Sequence, residues 1–120
     1  MVMTATWDDS QPIYRQLRDR AVAMILDGAL DEGDALPSVR SVAADMQLNP
    51  ITVSKAYQTL VDEDLVEKRR GLGMFVKDGA RSRLLSSEQS KFLAEEWPGL
   101  VERIRRLGLN PESLFESFRE

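Results

Sequence analysis

Residues 35–60 read ALPSVRSVAADMQLNPITVSKAYQTL, and the middle of this stretch decides the fold. Val39, Val42, Ala43 and Met46 fall at i, i+3, i+4 and i+7, which predicts a short helix from about Ser38 to Met46 with one apolar stripe. QLNP follows, too short for anything but a tight turn. Asn49 is a good N-cap, because its side chain can accept an orphan amide of the next helix's first turn. Pro50 suits the first helical position, where its missing N–H costs nothing. The helix it opens is predicted to reach about Glu63 and to bury Val53, Ala56, Tyr57, Leu60 and Val61. At about 100° per residue, its opposite face carries Ile51, Lys55, Gln58 and Asp62, flanked by Thr52, Ser54 and Thr59.

That outer face covers no core. It offers a methyl-bearing group, hydroxyls, an amide and one cation, with no acid before Asp62. Thymine methyls take apolar contacts, base edges take Ser, Thr and Gln, and phosphates take Lys. Two helices joined by a short turn, the second with such a face, describe a helix-turn-helix. A plain surface helix with a mixed face is the competing account at this point.

The residues that follow weigh against it. LVEKRRGLGMFVKD (65–78) alternates on either side of GLG, predicting two short strands around Val66 and Lys68, then Met74 and Val76. Arg69–Gly73 forms the connection, with Gly71 and Gly73 supplying turn conformations. The expected tip therefore presents Arg69 and Arg70 unprotected. A basic hairpin directly after a recognition helix is a wing, placed to reach an adjacent groove or its phosphates. As a phosphate-cradling loop, GLG fails: there is no third glycine, and no helix opens after it.

Upstream, Ile13, Leu17, Ala21, Met24 and Ile25 predict a helix over 12–27, with Gly28 as its stop. ALDEGDALP (29–37) is a connector punctuated by Gly33 and Pro37. Net charge is −4, against the usual basic footprint of a nucleic-acid binder. The distribution matters more than the sum. Acids cluster at Asp8–Asp9, Asp31–Glu32–Asp34 and Asp62–Glu63–Asp64, whereas 46–61 hold Lys55 and no acid, and 68–77 hold Lys68, Arg69, Arg70 and Lys77 without an acid. Cationic islands on an acidic body still steer toward phosphate.

The 120 residues allow one compact domain, or a small domain with an appendage. An apolar fraction of 42% and a charged fraction of 30% are ordinary for a soluble globular protein. No apolar run is long enough to cross a bilayer, and the N-terminus does not read as a signal peptide, so a cytoplasmic location is expected. With neither Cys nor His, the chain carries no disulfide framework, no zinc site of the usual kind and no histidine base. No cofactor and no metal are expected.

Three segments, PIYRQL (12–17), GALDEGDALPSVRSVA (28–43) and LNPITVSKAYQTLVDEDLVEKRRGLGMFV (48–76), together resemble the winged-helix DNA-binding domain of the GntR family of bacterial transcription regulators. The LPS-x-R, NP-x-TV-x-KAY and RG-x-G-x-FV elements carry the likeness, and the short tail is similar to the YtrA-like branch. The resemblance implies a regulator, with repression its expected mode, that binds a palindromic operator as a homodimer. It also implies roles. Ser38 and Arg40 match the family's contacts to the phosphate backbone or a base. Asn49, Pro50, Thr52, Ser54 and Lys55 match the start of a helix that reads the major groove. Arg69, Arg70 and Gly71 match a wing tip in the minor groove. One departure is Asp64, where the family usually has Gly before the strand.

The tail reads separately. GARSRLLSS (79–87) is expected to be a polar linker. Beyond it, Leu93, Trp97, Leu100, Val101, Ile104 and Leu107 form a stripe along one helix face. Pro98 lacks the amide that would meet the carbonyl of Ala94, so a kink or break is expected near Trp97. Asn110–Pro111 starts a further helix carrying Leu114, Phe115 and Phe118. So short a segment with this much apolar surface cannot bury it alone. Packing on a second copy is expected, two-fold pairing being the commonest solution, with an intramolecular clasp as the alternative. The expected architecture is mainly α with a small β-hairpin: a winged helix-turn-helix over 1–78, then a helical dimerisation tail over 79–120.

Two other function classes fit less well. An enzyme or cation site would have to use Asp31, Glu32 and Asp34, which lack EF-hand spacing and a partnering base. A winged helix that binds protein would explain the acidic balance but leave the recognition face and cationic tip without a role. A gel shift against random duplex at low salt separates these. So small a tail leaves little room for an effector pocket of the usual ~300–1,000 Å³ within one subunit. A small-molecule effector, if one exists, belongs at the dimer interface.

Overall fold

Local capping places the two helices of the central motif. In the computed structural model, which describes residues 7–119, Ser38 is extended and its hydroxyl oxygen accepts the Ser41 amide at 3.1 Å, opening α2 (Val39–Met46). Gln47 then turns left-handed at φ 55°, and Leu48 N donates to Ala43 O at 2.9 Å to close the helix. Asn49 accepts the Ile51 amide at 2.9 Å and opens α3 (Pro50–Asp62) with proline in its first turn. The whole turn thus rests on side-chain caps and one left-handed residue.

The preceding helix, α1 (Ile13–Leu26), buries Gln16, Leu17, Ala21, Val22 and Ile25. Its inner face is therefore shifted from the expected one: Ile13 is exposed, and buried Gln16 is satisfied by Asp8 and Gln11. Val53, Ala56 and Leu60 of α3 are fully buried against it, and Val42, Ala43 and Met46 of α2 close the same core. Truncating Leu60 to Ala there should cost about 2–5 kcal/mol. Arg18 of α1 reaches Glu63 with Nε 3.0 Å from Oε1, a second tie between α1 and the end of α3. Tyr57 donates its hydroxyl to Pro37 O at 2.6 Å, pinning the entry to α2 onto α3. Burial pushes the Tyr57 phenol up to about 12.

Strands β1 (Val66–Arg69) and β2 (Gly73–Val76) pair antiparallel, in register from Val66↔Val76 to Arg69↔Gly73. The connector 29–37 does more than link helices. Ala35 bridges Phe75, Gly33 N and Leu36 N donate to Val76 O and Met74 O at 2.8 Å, and Val76 N donates to Asp34 O at 2.9 Å. The hairpin is thereby bound along one side to the α1–α2 connection. Asp64, where the resemblance leads one to expect glycine, is left-handed at φ 63°. Its carboxylate is paired with Lys77, and its carbonyl accepts Arg83 Nη2 at 2.6 Å.

The expected linker is instead helical. α4 (Ala80–Lys91) starts with Ala80 and Leu84, both buried in the winged core, one turn apart on one face. That pair is the physical reason: the polar residues around it sit outward, and a flexible linker would forfeit the burial. Contacts divide the chain into Met1–Leu84 and Leu85–Glu120.

In the second unit the expected break at Pro98 takes the form of a π-helical turn, Phe92–Glu96, followed by α5 (Trp97–Arg106). Trp97 N donates to Phe92 O, an i→i−5 bond that widens the helix where proline has no amide to give. Gly108, at φ 68°, ends α5, and Asn110 caps α6 (Pro111–Glu116) by accepting the Glu112 amide at 2.9 Å. Among the described residues from Leu85 onward, none is buried.

Candidate nucleic-acid interface

The outer face of α3 stands as the spacing predicts. Ile51, Ser54, Lys55 and Gln58 are exposed, and Thr52 is half-buried. No carboxylate lies on this face before Asp62, whose Oδ1 accepts Gln58 Nε2 at 2.9 Å. Asn49 and Pro50 are exposed at the helix start. The Asn49 oxygen is committed to its cap, which leaves the amide nitrogen as the group it can offer outward. Ser38 is similar: its oxygen accepts from Ser41, so its own O–H remains to donate. Arg40 is exposed on α2, off the buried stripe of Val42, Ala43 and Met46.

The wing differs from expectation at Arg69. The tip is Arg70–Leu72, closed by Leu72 N donating to Arg69 O at 2.9 Å, with Gly71 at φ 76° in the position that needs it. Arg69 belongs to β1 and is not unprotected. Its Nη2 pairs with Glu67 Oε1 at 2.9 Å, and its guanidinium lies 4.4 Å from the Phe75 ring centre. The reason is strand alternation: Glu67, Arg69 and Phe75 share one face of the hairpin, while Val66, Lys68, Met74 and Val76 share the other. Such an exposed pair is worth only about 0–1 kcal/mol, so Arg69 can exchange Glu67 for a phosphate.

Between the wing, α3 and the start of α2 lies a cleft of about 410 Å³. It brings together Ser38 and Ser54 from the expected contact residues, and adds Gln58, Lys68, Leu72 and Met74. Lys68 and Leu72 were not among the expected contacts. Their signal is weak in the sequence, since only the strand register turns Lys68 into the cleft. No acid lines it.

The acidic connector forms no comparable site. Asp34 Oδ2 accepts the Asp31 amide at 2.8 Å, and Glu32 Oε1 accepts the Gly79 amide at 2.6 Å. Among the described residues no three potential metal-binding side chains converge, and no helix is long and apolar enough to cross a membrane.

In the tail, Trp97, Val101, Ile104, Leu114, Phe115 and Phe118 line one open groove of about 470 Å³. Leu93, Leu100 and Leu107 lie outside it and are exposed. The groove reaches the size expected of a small-molecule site, which so short a segment was not expected to hold, but it is open. Phe92, absent from the expected stripe, packs its ring 6.4 Å from that of Trp97.

Three helices, a capped turn and a hairpin wing beside a helix face without an acid before Asp62 make a winged helix-turn-helix, the fold of a class of DNA-binding regulators. The family model for bacterial regulatory proteins of the gntR family matches residues 13–76. The chain is 31% identical over 117 residues to the HTH-type transcriptional regulator YhcF of Bacillus subtilis (strain 168), covering 98% of this chain and 95% of that protein. It is 34% identical over 111 residues to the HTH-type transcriptional repressor YtrA of the same organism, covering 92% and 85%. A crystal structure of a transcriptional regulator from Oenococcus oeni superposes with a TM-score of 0.74 at 28% identity, covering 94% of this chain and 92% of that one. The chain belongs to the GntR family, as a YtrA-like, DNA-binding transcription regulator and not an enzyme.

Proposed function

We propose that this regulator binds a palindromic operator as a homodimer and acts as a repressor, with residues 1–78 reading DNA and 79–120 joining the two copies. The observation that carries the reading is the outer face of α3, which holds no acid before Asp62, set beside a wing whose tip bears Arg70. In this reading Thr52 and Ser54 meet base edges in the major groove, with Asn49 and Pro50 at its entrance. Lys55, Ser38 and Arg40 hold the backbone, while Arg70 and Gly71 enter the neighbouring minor groove with Arg69 behind them.

The tail supports the homodimer. Its apolar residues Leu93, Leu100, Leu107, Phe115 and Phe118 are exposed, and Trp97, Val101, Ile104 and Leu114 lie along the same segment. A segment with no buried residue needs a partner surface. Repression is supported by the likeness to YtrA, itself a transcriptional repressor. An effector, if one exists, would act at the same interface. The test is selection of binding sites from a randomised duplex library by the full chain, with sedimentation of the complex. The expected result is an inverted repeat, half-sites about one helical turn apart, bound by two copies. A single unrepeated site bound by one copy overturns the reading.

A further inference from the structure

A helix in the major groove and a hairpin tip in the adjacent minor groove straddle one sugar–phosphate strand, because that strand is what separates the two grooves. Whatever lines the space between them must face its phosphates and sugars. Here that space is the cleft between α3 and the wing, and its one cation is Lys68. Lys68 is exposed, and among the described residues its ammonium makes no ion pair and no hydrogen bond. It pairs across the hairpin with Met74 and shares the cleft face with it, opposite the face where Arg69 is held by Glu67. A chain with 20 acids and 16 bases has kept carboxylates out of this cleft. Leu72 joins the lining from the tip and is 72% exposed, an apolar side chain with no core to cover.

We infer that Lys68 is a further DNA-contacting residue, the cation that grips the strand running between recognition helix and wing, with Leu72 packed against a sugar of that strand. The inference rests on the DNA reading of α3 and the wing given above. A phosphate drawn into the cleft would also meet the outward O–H of Ser38 at the start of α2.

The test uses the full chain and a duplex selected by it from a random library, titrated with salt. Lys68→Ala should lower affinity and reduce the log–log salt slope by about 1, leaving the selected sequence and the melting temperature unchanged. Lys68→Arg should keep the slope, and Leu72→Ala should lower affinity without altering it. Neutral methylphosphonates placed one at a time should reveal a phosphate, flanked by major-groove and minor-groove contacts, whose neutralisation weakens the parent but not Lys68→Ala. A Lys68→Ala protein with the parent's slope and the parent's methylphosphonate profile overturns the inference while leaving the DNA reading intact. A parent that selects no duplex removes that reading, and the inference with it.

Discussion

The Lys55 ammonium lies 4.2 Å from the centre of the Tyr14 ring, so a residue on the outer face of α3 is tied to the first turn of α1. Cation–π contacts at exposed sites contribute about 0.5–1 kcal/mol, little enough to release Lys55 to a phosphate. Lys55→Ala should therefore reduce the salt slope of DNA binding by about 1 unit and cost stability on that same small scale. Thr52 and Ser54 substitutions should behave differently, relaxing base preference at one position by about 1–3 kcal/mol with the slope preserved. Salt titration of each variant on one selected duplex separates the two classes. If all three changes leave affinity, slope and preference untouched, α3 is not the recognition helix.

Arg40 gives the cleaner contrast, because among the described residues it has no stacking partner to lose. It sits near the N-terminus of α2, where its charge gains nothing from the helix dipole, and it is exposed. Arg40→Ala should weaken DNA binding and leave stability within about 0.5 kcal/mol. A large fall in the denaturation midpoint would make it a structural residue instead.

Asp64 holds a left-handed backbone with its carboxylate on Lys77. The hydrogen bond from Lys77 holds this carboxyl below its ordinary 3.8. A lowered acid stabilises the fold fully above that ordinary value, and the contribution fades as pH falls below 3.8 through the folded-state value. Asp64→Asn should thus melt below the parent at neutral pH, with the gap closing in acid. Asp64→Gly should lose the same ion pair but gain backbone ease, and Asp64→Val should lose both and melt lowest. Melting curves at pH 7 and pH 3 check the order.

The tail prediction concerns assembly. Leu100 is 43% exposed and Ile104 lines the tail groove, so Leu100→Asp and Ile104→Asp should yield folded monomers by sedimentation. Losing the tether should weaken operator binding by roughly 10²–10⁴. Removing residues 80–120 is a poorer test, because it strips buried Ala80 and Leu84 from the winged core; ending the chain after Lys91 spares them. A variant chain that stays dimeric, or a monomer that binds the whole palindrome as tightly as the parent, would show that the tail does not set specificity.

The helix-turn-helix is legible in the sequence because every signal there is local. Asn49 caps α3 and Pro50 opens it where the residue types predict, and Val53, Ala56, Tyr57 and Leu60 bury at the expected spacing. The wing is half legible. Its glycines mark the turn, but the run Lys68–Arg69–Arg70 does not say which cation faces the cleft; the pairing register and Glu67 decide that. In the stretch 79–87 the apolar pair Ala80 and Leu84 is outnumbered by polar residues, and only the core beneath it makes a helix of it. The π turn escapes because Phe92 and Trp97 stand five apart, a spacing that no α-helical template brings together.

The backbone bonds from Gly33, Asp34 and Leu36 to the wing's second strand have a thermodynamic consequence for capture of the operator. Fixing a residue's backbone costs about 1–2 kcal/mol of conformational entropy, and a loose hairpin would meet that cost along its length when DNA arrives. Here folding itself immobilises the hairpin's base, so the freedom still to be surrendered at the groove is concentrated in Arg70, Gly71 and Leu72. A wing prepared in this way should dock with a smaller entropic penalty than its size suggests, and loosening the connector at Ala35, which bridges Phe75, should weaken operator binding.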